Sequence, residues 1–188
     1  MTDARLLALM SKVAAAGGCR LLVADPPWRF SDKLPGPGRG AAKHYPTLDA
    51  ARIEMFPLPP LADDCALFLW RVAAMQEEAL AVARAWGFAP KTELVWEKKT
   101  VGGKEAFGMG RILRAAHETC IVATRGRPEV CDRSIRSRFS APVGRHSEKP
   151  NEFFGLVERL YSSVPSDQRV EMFARRPRLG WVCLGDEL

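Results

Sequence analysis

An α/β fold on a mostly parallel sheet is predicted for this chain, and three observations predict it. The apolar run Arg20-Leu21-Leu22-Val23-Ala24 is too short for a core helix and lies between Gly17-Gly18 and Pro26-Pro27, so it reads as a buried central strand. The run Cys65-Ala66-Leu67-Phe68-Leu69-Trp70, an alanine-rich helical stretch from Val72 to Trp86 closed by Gly87, and Lys91–Trp96 succeed one another as strand, helix, strand. Such a unit implies a right-handed crossover in a parallel sheet. With 188 residues, 47% of them hydrophobic, the chain can bury a sizeable core as one domain, 1–188. In such sheets the active crevice lies at the carboxyl ends of the strands.

The remaining elements follow in order. Leu6, Leu7, Met10 and Val13 sit at helical spacing, which predicts an amphipathic helix over 4–15 covering the sheet. Pro35, Gly36, Pro37, Gly38 and Gly40 exclude regular structure from 31–46, a flexible loop long enough to act as a lid. Leu48 to Phe56 forms a short helix with Thr47 as its N-cap. A glycine-containing loop over 98–116 precedes strand Thr119–Thr124, and a second flexible loop covers 126–147. Pro150 suits the first position of a helix over 151–161. Gln168–Ala174 and Trp181–Leu184 complete the strands.

Charge and composition narrow the partner. The net charge of +6, with a pI near 9.3, favours a polyanion. Residues 98–114 carry Lys98, Lys99, Lys104, Arg111 and Arg114 against Glu105 alone, which suits a basic loop gripping a nucleic-acid backbone. In 125–149 seven basic residues, Arg136 and Arg138 among them, face three acids, and only Phe139 interleaves, so this face would bind phosphates rather than stack bases. Five scattered cysteines without a C-x-x-C pair suggest reduced thiols, not a disulfide framework or zinc site. His117 and His146 lack partners at ligand spacing, so no metal is expected. No run approaches the roughly 18 apolar residues of a membrane span, and no signal-peptide layout is evident, so a cytoplasmic location is expected.

The chemistry concentrates at Asp25-Pro26-Pro27-Trp28. Pro26 biases Asp25 toward extended geometry, and the two prolines fix successive φ angles without supplying N–H groups, so the corner offers acceptors. Asp25 and nearby carbonyls would accept from an amino group on a planar ring, and an exposed Trp28 would stack on that ring.

This tetrapeptide after a strand resembles the amino-methyltransferase signature, and in its tryptophan form the METTL-like, or MT-A-seventy, family of adenine-N(6) methyltransferases. His44-Tyr45-Pro46-Thr47, Phe68-Leu69-Trp70, Trp96-Glu97-Lys98, and Gly108, Gly110, Arg114, His117 and Glu118 at their spacing resemble the family's segments. So do Ser147-x-Lys149-Pro150 and Glu171-x-Phe173-Ala174-Arg175, and the resemblance spans about Leu21 to Glu187. It implies a Rossmann-like methyltransferase fold with helices on both faces, its motifs circularly permuted so that the catalytic tip precedes the cofactor strand. S-adenosylmethionine is the implied cofactor and S-adenosylhomocysteine the product, with no metal.

The resemblance implies roles for particular residues. Asp25 and the carbonyl of Pro26 orient the amine, with Pro27 and Trp28 completing the catalytic corner. Lys149 with Ser147 holds the methionyl carboxylate, as a lysine at a helix amino terminus can. Phe173, Arg175, Asp186 and Glu187 border the cofactor's ribose and adenine, and Asp25 touches the cofactor as well. Tyr45 and His117 border the nucleic acid beside the basic loops. Two departures weaken the ribose and adenine contacts: Pro177 and Arg178 replace the family's polar pair, and Asp186 replaces its closing asparagine. The expected function is methylation of adenine in DNA, with RNA as alternative substrate. A non-catalytic nucleic-acid-binding subunit is the alternative of another class, and a homodimer or partner subunit is left open. Inactive partners typically lose the tetrapeptide's acid or the lysine, and this sequence keeps Asp25 and Lys149.

Overall fold

The computed structural model describes residues 3–29, 47–108, 112–144 and 148–185. Tyr45, Arg111, Ser147, Asp186, Glu187 and the 31–46 loop lie outside the described residues. The chain forms helix α1 (Asp3–Ala15), strand β1 (Cys19–Ala24), α2 (Ala50–Glu54), β2 (Leu61–Arg71), α3 (Gln76–Ala85), β3 (Ala89–Lys99), β4 (His117–Arg125), β5 (Arg138–Pro142), α4 (Asn151–Leu160), β6 (Arg169–Met172) and β7 (Val182–Leu184).

The seven strands form one sheet in the order β5-β3-β4-β2-β1-β6-β7. Four pairings are parallel: β1 with β2 and β6, β6 with β7, and β3 with β5. The other two are antiparallel, because β4 runs against both β2 and β3. The sheet is therefore mixed and mostly parallel. The expected unit of β2, α3 and β3 keeps its parallel sense, but β4 stands between the two strands.

Strand alternation divides the core between two faces. Leu22, Ala24, Leu67, Leu69 and Ile121 pack on one face with Val13 of α1, Ile53 of α2, and Ala79, Val82 and Ala83 of α3. Leu21, Val23, Phe68, Trp70, Leu94 and Trp96 pack on the other with Phe153, Phe154 and Val157 of α4. Helices thus cover both faces, as expected. Phe153 anchors α4: its ring lies 4.8 Å from Trp70 and 5.9 Å from Phe68. A phenylalanine so placed carries about 3–5 kcal/mol.

Local chemistry moves several boundaries. The N-cap of α2 is Asp49 rather than Thr47, its carboxylate accepting from the Arg52 amide at 2.9 Å. Pro150 is the N-cap of α4. The 126–147 region contains β5, whose Phe139 pairs with Trp96, so it is not wholly a loop. In the 98–116 loop, bridges join Lys99 to Glu105 and Gly108 to Ala115.

The end of β6 is held unusually tightly. Phe173 is the one described non-glycine residue with positive φ, 61°, a conformation that costs about 1–3 kcal/mol and persists only where surroundings enforce it. Its ring packs 4.7 Å from Phe56, and the next amide, Ala174, donates to Leu184 O at 3.0 Å. A Cβ on Gly185 would collide with the Ala174 carbonyl. Gly185→Ala is therefore expected to destabilise the fold by about 1–3 kcal/mol. A denaturation midpoint equal to wild type would show that this backbone can step aside.

Candidate active site

Because β1, β2 and β6 are parallel, their carboxyl ends share one rim of the sheet. Asp25 follows β1 there. The corner is held by its own hydrogen bonds: Trp28 N–H donates to Pro26 O at 2.8 Å, and the Pro27 carbonyl accepts from Leu48 N–H at 2.8 Å. Pro26 O, expected to receive the target amine, thus has one lone pair engaged. The expectation of an exposed Trp28 is corrected. Its side chain belongs to the core, with 4% of the residue exposed, and its indole N–H donates to Trp70 O at 2.8 Å. An indole so enclosed serves as an anchor, and it could stack on a base only by leaving this bond.

Lys149, expected at a helix start to hold the methionyl carboxylate, is paired within the protein. Its Nζ lies 2.7 Å from Asp25 Oδ2 and 3.4 Å from Glu118 Oε2, with only 11% of its side chain exposed. Glu118 Oε1 in turn lies 2.7 Å from Lys98 Nζ. The result is a chain of alternating charge, Asp25, Lys149, Glu118, Lys98, resting on indole faces: Lys149 Nζ is 5.2 Å from the Trp70 ring centroid and Lys98 Nζ 5.6 Å from that of Trp96.

Burial pushes the Asp25 carboxyl above the ordinary aspartate range, and Lys149 offsets only part of that. Burial acts on Glu118 in the same direction, but the Lys149 and Lys98 ammonium groups outweigh it, and this carboxyl lies below the ordinary range. For Lys149 burial disfavours the charge, yet Asp25 and Glu118 outweigh it and the ammonium is held more firmly than usual. The two acids are driven apart while sharing one cation, a pattern typical of reactive sites.

Beside this chain lies a cleft of about 430 Å³, open solvent at its mouth included, bordered by Asp25, Lys149, Trp70, Phe154, Phe173 and Arg175. The indole N–H of Trp70 is buried without a hydrogen-bond partner among the described residues, a donor that a ligand could satisfy. Glu171, Arg176 and Arg178 complete the wall. Arg178 Nε meets Glu171 Oε2 at 3.0 Å, and its guanidinium carbon lies 3.2 Å from the Phe154 ring centroid. Burial raises the Glu171 pKa despite that arginine. Sequence reasoning did not place Trp70, Glu118, Glu171 or Arg178 in the site. Trp70, Glu118 and Glu171 nonetheless carried a signal, since each lies in a run that resembles the family's.

The basic residues divide. Lys98 belongs to the buried charge chain and does not face outward as a phosphate contact. Arg138 is paired at 2.7 Å with Glu97, whose carboxylate also accepts from Ser140 at 2.8 Å. Lys104, Arg114, His117 and Arg136 are exposed and Lys99 is half-buried. Among the described residues no group of three or more His, Cys, Asp or Glu side chains could hold a metal ion, and no helix is long and apolar enough to cross a membrane.

Comparison with known proteins agrees with this geometry. The MT-A70 family model matches residues 19–187. The chain is 30% identical over 182 residues to the N(6)-adenosine-methyltransferase subunit METTL3 of Danio rerio and 29% identical over 182 residues to the Homo sapiens catalytic subunit METTL3; 94% of this chain is aligned in each. It spans only 29% of the length of either protein. It is also 27% identical over 190 residues to the type II methyltransferase M.MunI of Mycoplasma sp, with 90% of this chain and 77% of that protein aligned. The family match takes in all seven strands and every described wall of the cleft, and the chain belongs to the MT-A70 family of S-adenosylmethionine-dependent N(6)-adenine methyltransferases.

Proposed function

We propose that this protein methylates the exocyclic amino group of adenine in nucleic acid, with DNA the favoured substrate, and that Asp25 is the acceptor for that amine. The observation that carries the reading is the placement of Asp25 at the carboxyl end of β1, over the cleft and in contact with Lys149. An amino nitrogen conjugated to a purine is a poor nucleophile. An acceptor that draws its hydrogens out of the ring plane localises the lone pair. Asp25, with the remaining lone pair of Pro26 O, provides such acceptors, and Trp28 keeps the corner rigid from below.

The cleft walls fit S-adenosylmethionine, which when bound supplies a methyl group already activated on a positively charged sulfur. In this reading Lys149 and the amino end of α4 hold its carboxylate, while Phe173 and Arg175 border its ribose and adenine. Ser147, Asp186 and Glu187 complete those contacts. Acceleration comes from alignment and fixed charge more than from a dedicated base. A base in duplex DNA must be extruded to reach the corner. Lys99, Lys104, Arg114 and Arg136 meet the flanking phosphates, with Tyr45, Arg111, His117 and Arg138 beside them. We further read the order, tip strand first and cofactor strand last, as a circular permutation of the common methyltransferase layout.

The two METTL3 relatives are named for adenosine, a ribonucleoside, which supports RNA as the second reading. Mass spectrometry for N(6)-methyladenine after incubating purified DNA and RNA with the protein and cofactor tests both. Product in neither nucleic acid would sink the proposal. The phosphate contacts predict a further result: oligonucleotide affinity should fall steeply with salt, and changing Lys99, Lys104, Arg114 and Arg136 to alanine should reduce the logarithmic slope by roughly 0.9 for each lost contact with duplex. Equal slopes would mean that these residues form only a solvated face.

A further inference from the structure

We propose that Ile112 and Leu113 form an apolar wedge that enters the base stack of a DNA duplex where the target adenine leaves it. The inference rests on the reading of the protein as an adenine methyltransferase and names how that site takes a paired base. Both side chains stand in the β3–β4 bend, between the bridged residues Gly108 and Ala115, and both are almost bare: Ile112 is 95% exposed and Leu113 80%. Burial of large aliphatic side chains is favourable, so two adjacent ones left in water invite a partner that covers them.

Position and charge favour a duplex. β4 runs against both β2 and β3, so β3 is parallel to β2 and its carboxyl end lies on the rim that carries Asp25. β3 stands three strands from β1, about 14 Å at the usual strand spacing, so a single duplex can reach the bend and the corner together. The bend's flanks carry Lys99, Lys104 and Arg114 against one acid, Glu105. A second copy of the chain, meeting this bend with its own across a twofold axis, would set those cations against each other. The exposed aliphatic pair also falls far short of the about 20–30 residues per side of a stable protein interface. A duplex supplies the opposite charge outside and an apolar stack within. Isoleucine and leucine are among the side chains that proteins insert between base steps, and the insertion offsets part of the cost of unstacking an extruded base. The Gly108 amide donates to Ala115 O at 2.9 Å and the Ala106 amide to Lys98 O at 3.0 Å, so the bend is braced for such an insertion.

The experiment compares wild type with the double variant Ile112→Ser, Leu113→Ser on three forms of one DNA sequence that wild type methylates: the paired duplex, the same duplex with the target adenine mispaired, and the single strand. The substitutions remove only exposed surface, so the denaturation midpoint should stay as it is. The wedge predicts a kcat/KM on the paired duplex reduced about ten- to hundredfold, and largely regained on the mispaired duplex and the single strand, where extrusion costs little. With 2-aminopurine in place of the target adenine, the fluorescence rise that reports unstacking should be lost from the variant on the paired duplex. An equal loss on all three forms, or wild-type rates on the paired duplex, would overturn the wedge and leave the methyl-transfer reading intact. A wild-type dimer that the double substitution dissociates would do the same, by giving these side chains to a contact between copies, and so would wild-type turnover confined to RNA or single strands. Absence of wild-type turnover on both DNA and RNA would instead overturn the methyl-transfer reading, and this proposal with it.

Discussion

Asp25→Ala should lower kcat by about 10²- to 10³-fold, the usual loss when one preorganised group is removed from a reacting centre. Cofactor affinity should stay level or improve, since the substitution releases Lys149 from its 2.7 Å partner and leaves it beside Glu118, available to a carboxylate. Quantifying methyladenine by mass spectrometry and the dissociation constant by calorimetry separates the two effects. Turnover near wild type would remove Asp25 from the mechanism. The pH dependence has a definite sign. Asp25 accepts hydrogen bonds best when ionised, and its pKa is raised by burial. The acid limb of kcat/KM should therefore lie above the ordinary aspartate range, with activity rising as pH rises through it.

Lys149→Met should have the largest effect on stability. It leaves Asp25 and Glu118 facing each other without their shared cation. Removing one partner of a buried ion pair costs about 3–5 kcal/mol. The two acids retain 26% and 29% side-chain exposure, so about 3 kcal/mol is expected, or roughly 6–12 °C in Tm. The Asp25 carboxyl would then titrate still further above its unfolded value, while Lys98 stays beside Glu118, so at Asp25 the folded state would bind more protons than the unfolded one. Stability should consequently fall as pH rises from the ordinary aspartate range through the raised Asp25 midpoint, and recover on acidification. Cofactor binding should also weaken by roughly 1.5–3 kcal/mol through loss of a charge-assisted contact. A Tm equal to wild type would show that the pair carries little weight, and an unchanged dissociation constant would refute the assignment of Lys149 to the carboxylate.

Both of these residues were legible in the sequence, for physical reasons. An apolar run ending in an acid and two prolines has few readings other than a buried strand with a rigid tip, and Pro150 marks the start of α4 beside Lys149. Their contact was not legible, because 124 positions separate them and only the closed sheet joins them. The antiparallel course of β4 was missed although a signal existed. Parallel neighbours need a long, usually helical, crossover, and residues 100–116 contain no helical pattern, so a hairpin was the natural connection. That course brings the start of β4, with Glu118, to the same rim as the end of β3, with Lys98. β5 was missed because Arg138-Phe139-Ser140-Ala141-Pro142 is short, lies in a basic stretch and ends in proline, as an edge strand can. Trp28 was misjudged because the two prolines suggest a surface turn, whereas the turn folds back and sinks the indole beneath it.

The bend of the β3–β4 hairpin lies on the rim that carries Asp25, and this makes it the most permissive place for the molecule to diversify. Lengthening a flexible connection costs only about 0.6 kcal/mol for each doubling, while the pairing of Val95 with Thr119 and Trp96 with Glu118 stays as it is. Relatives with the same chemistry could therefore acquire different target preferences by exchanging residues 100–116, with the reacting corner untouched. The opposite boundary of the cleft has no such freedom. Where Gly185 passes Ala174 even one added methyl meets backbone, so variation in recognition should accumulate on the hairpin side and be nearly absent from the other.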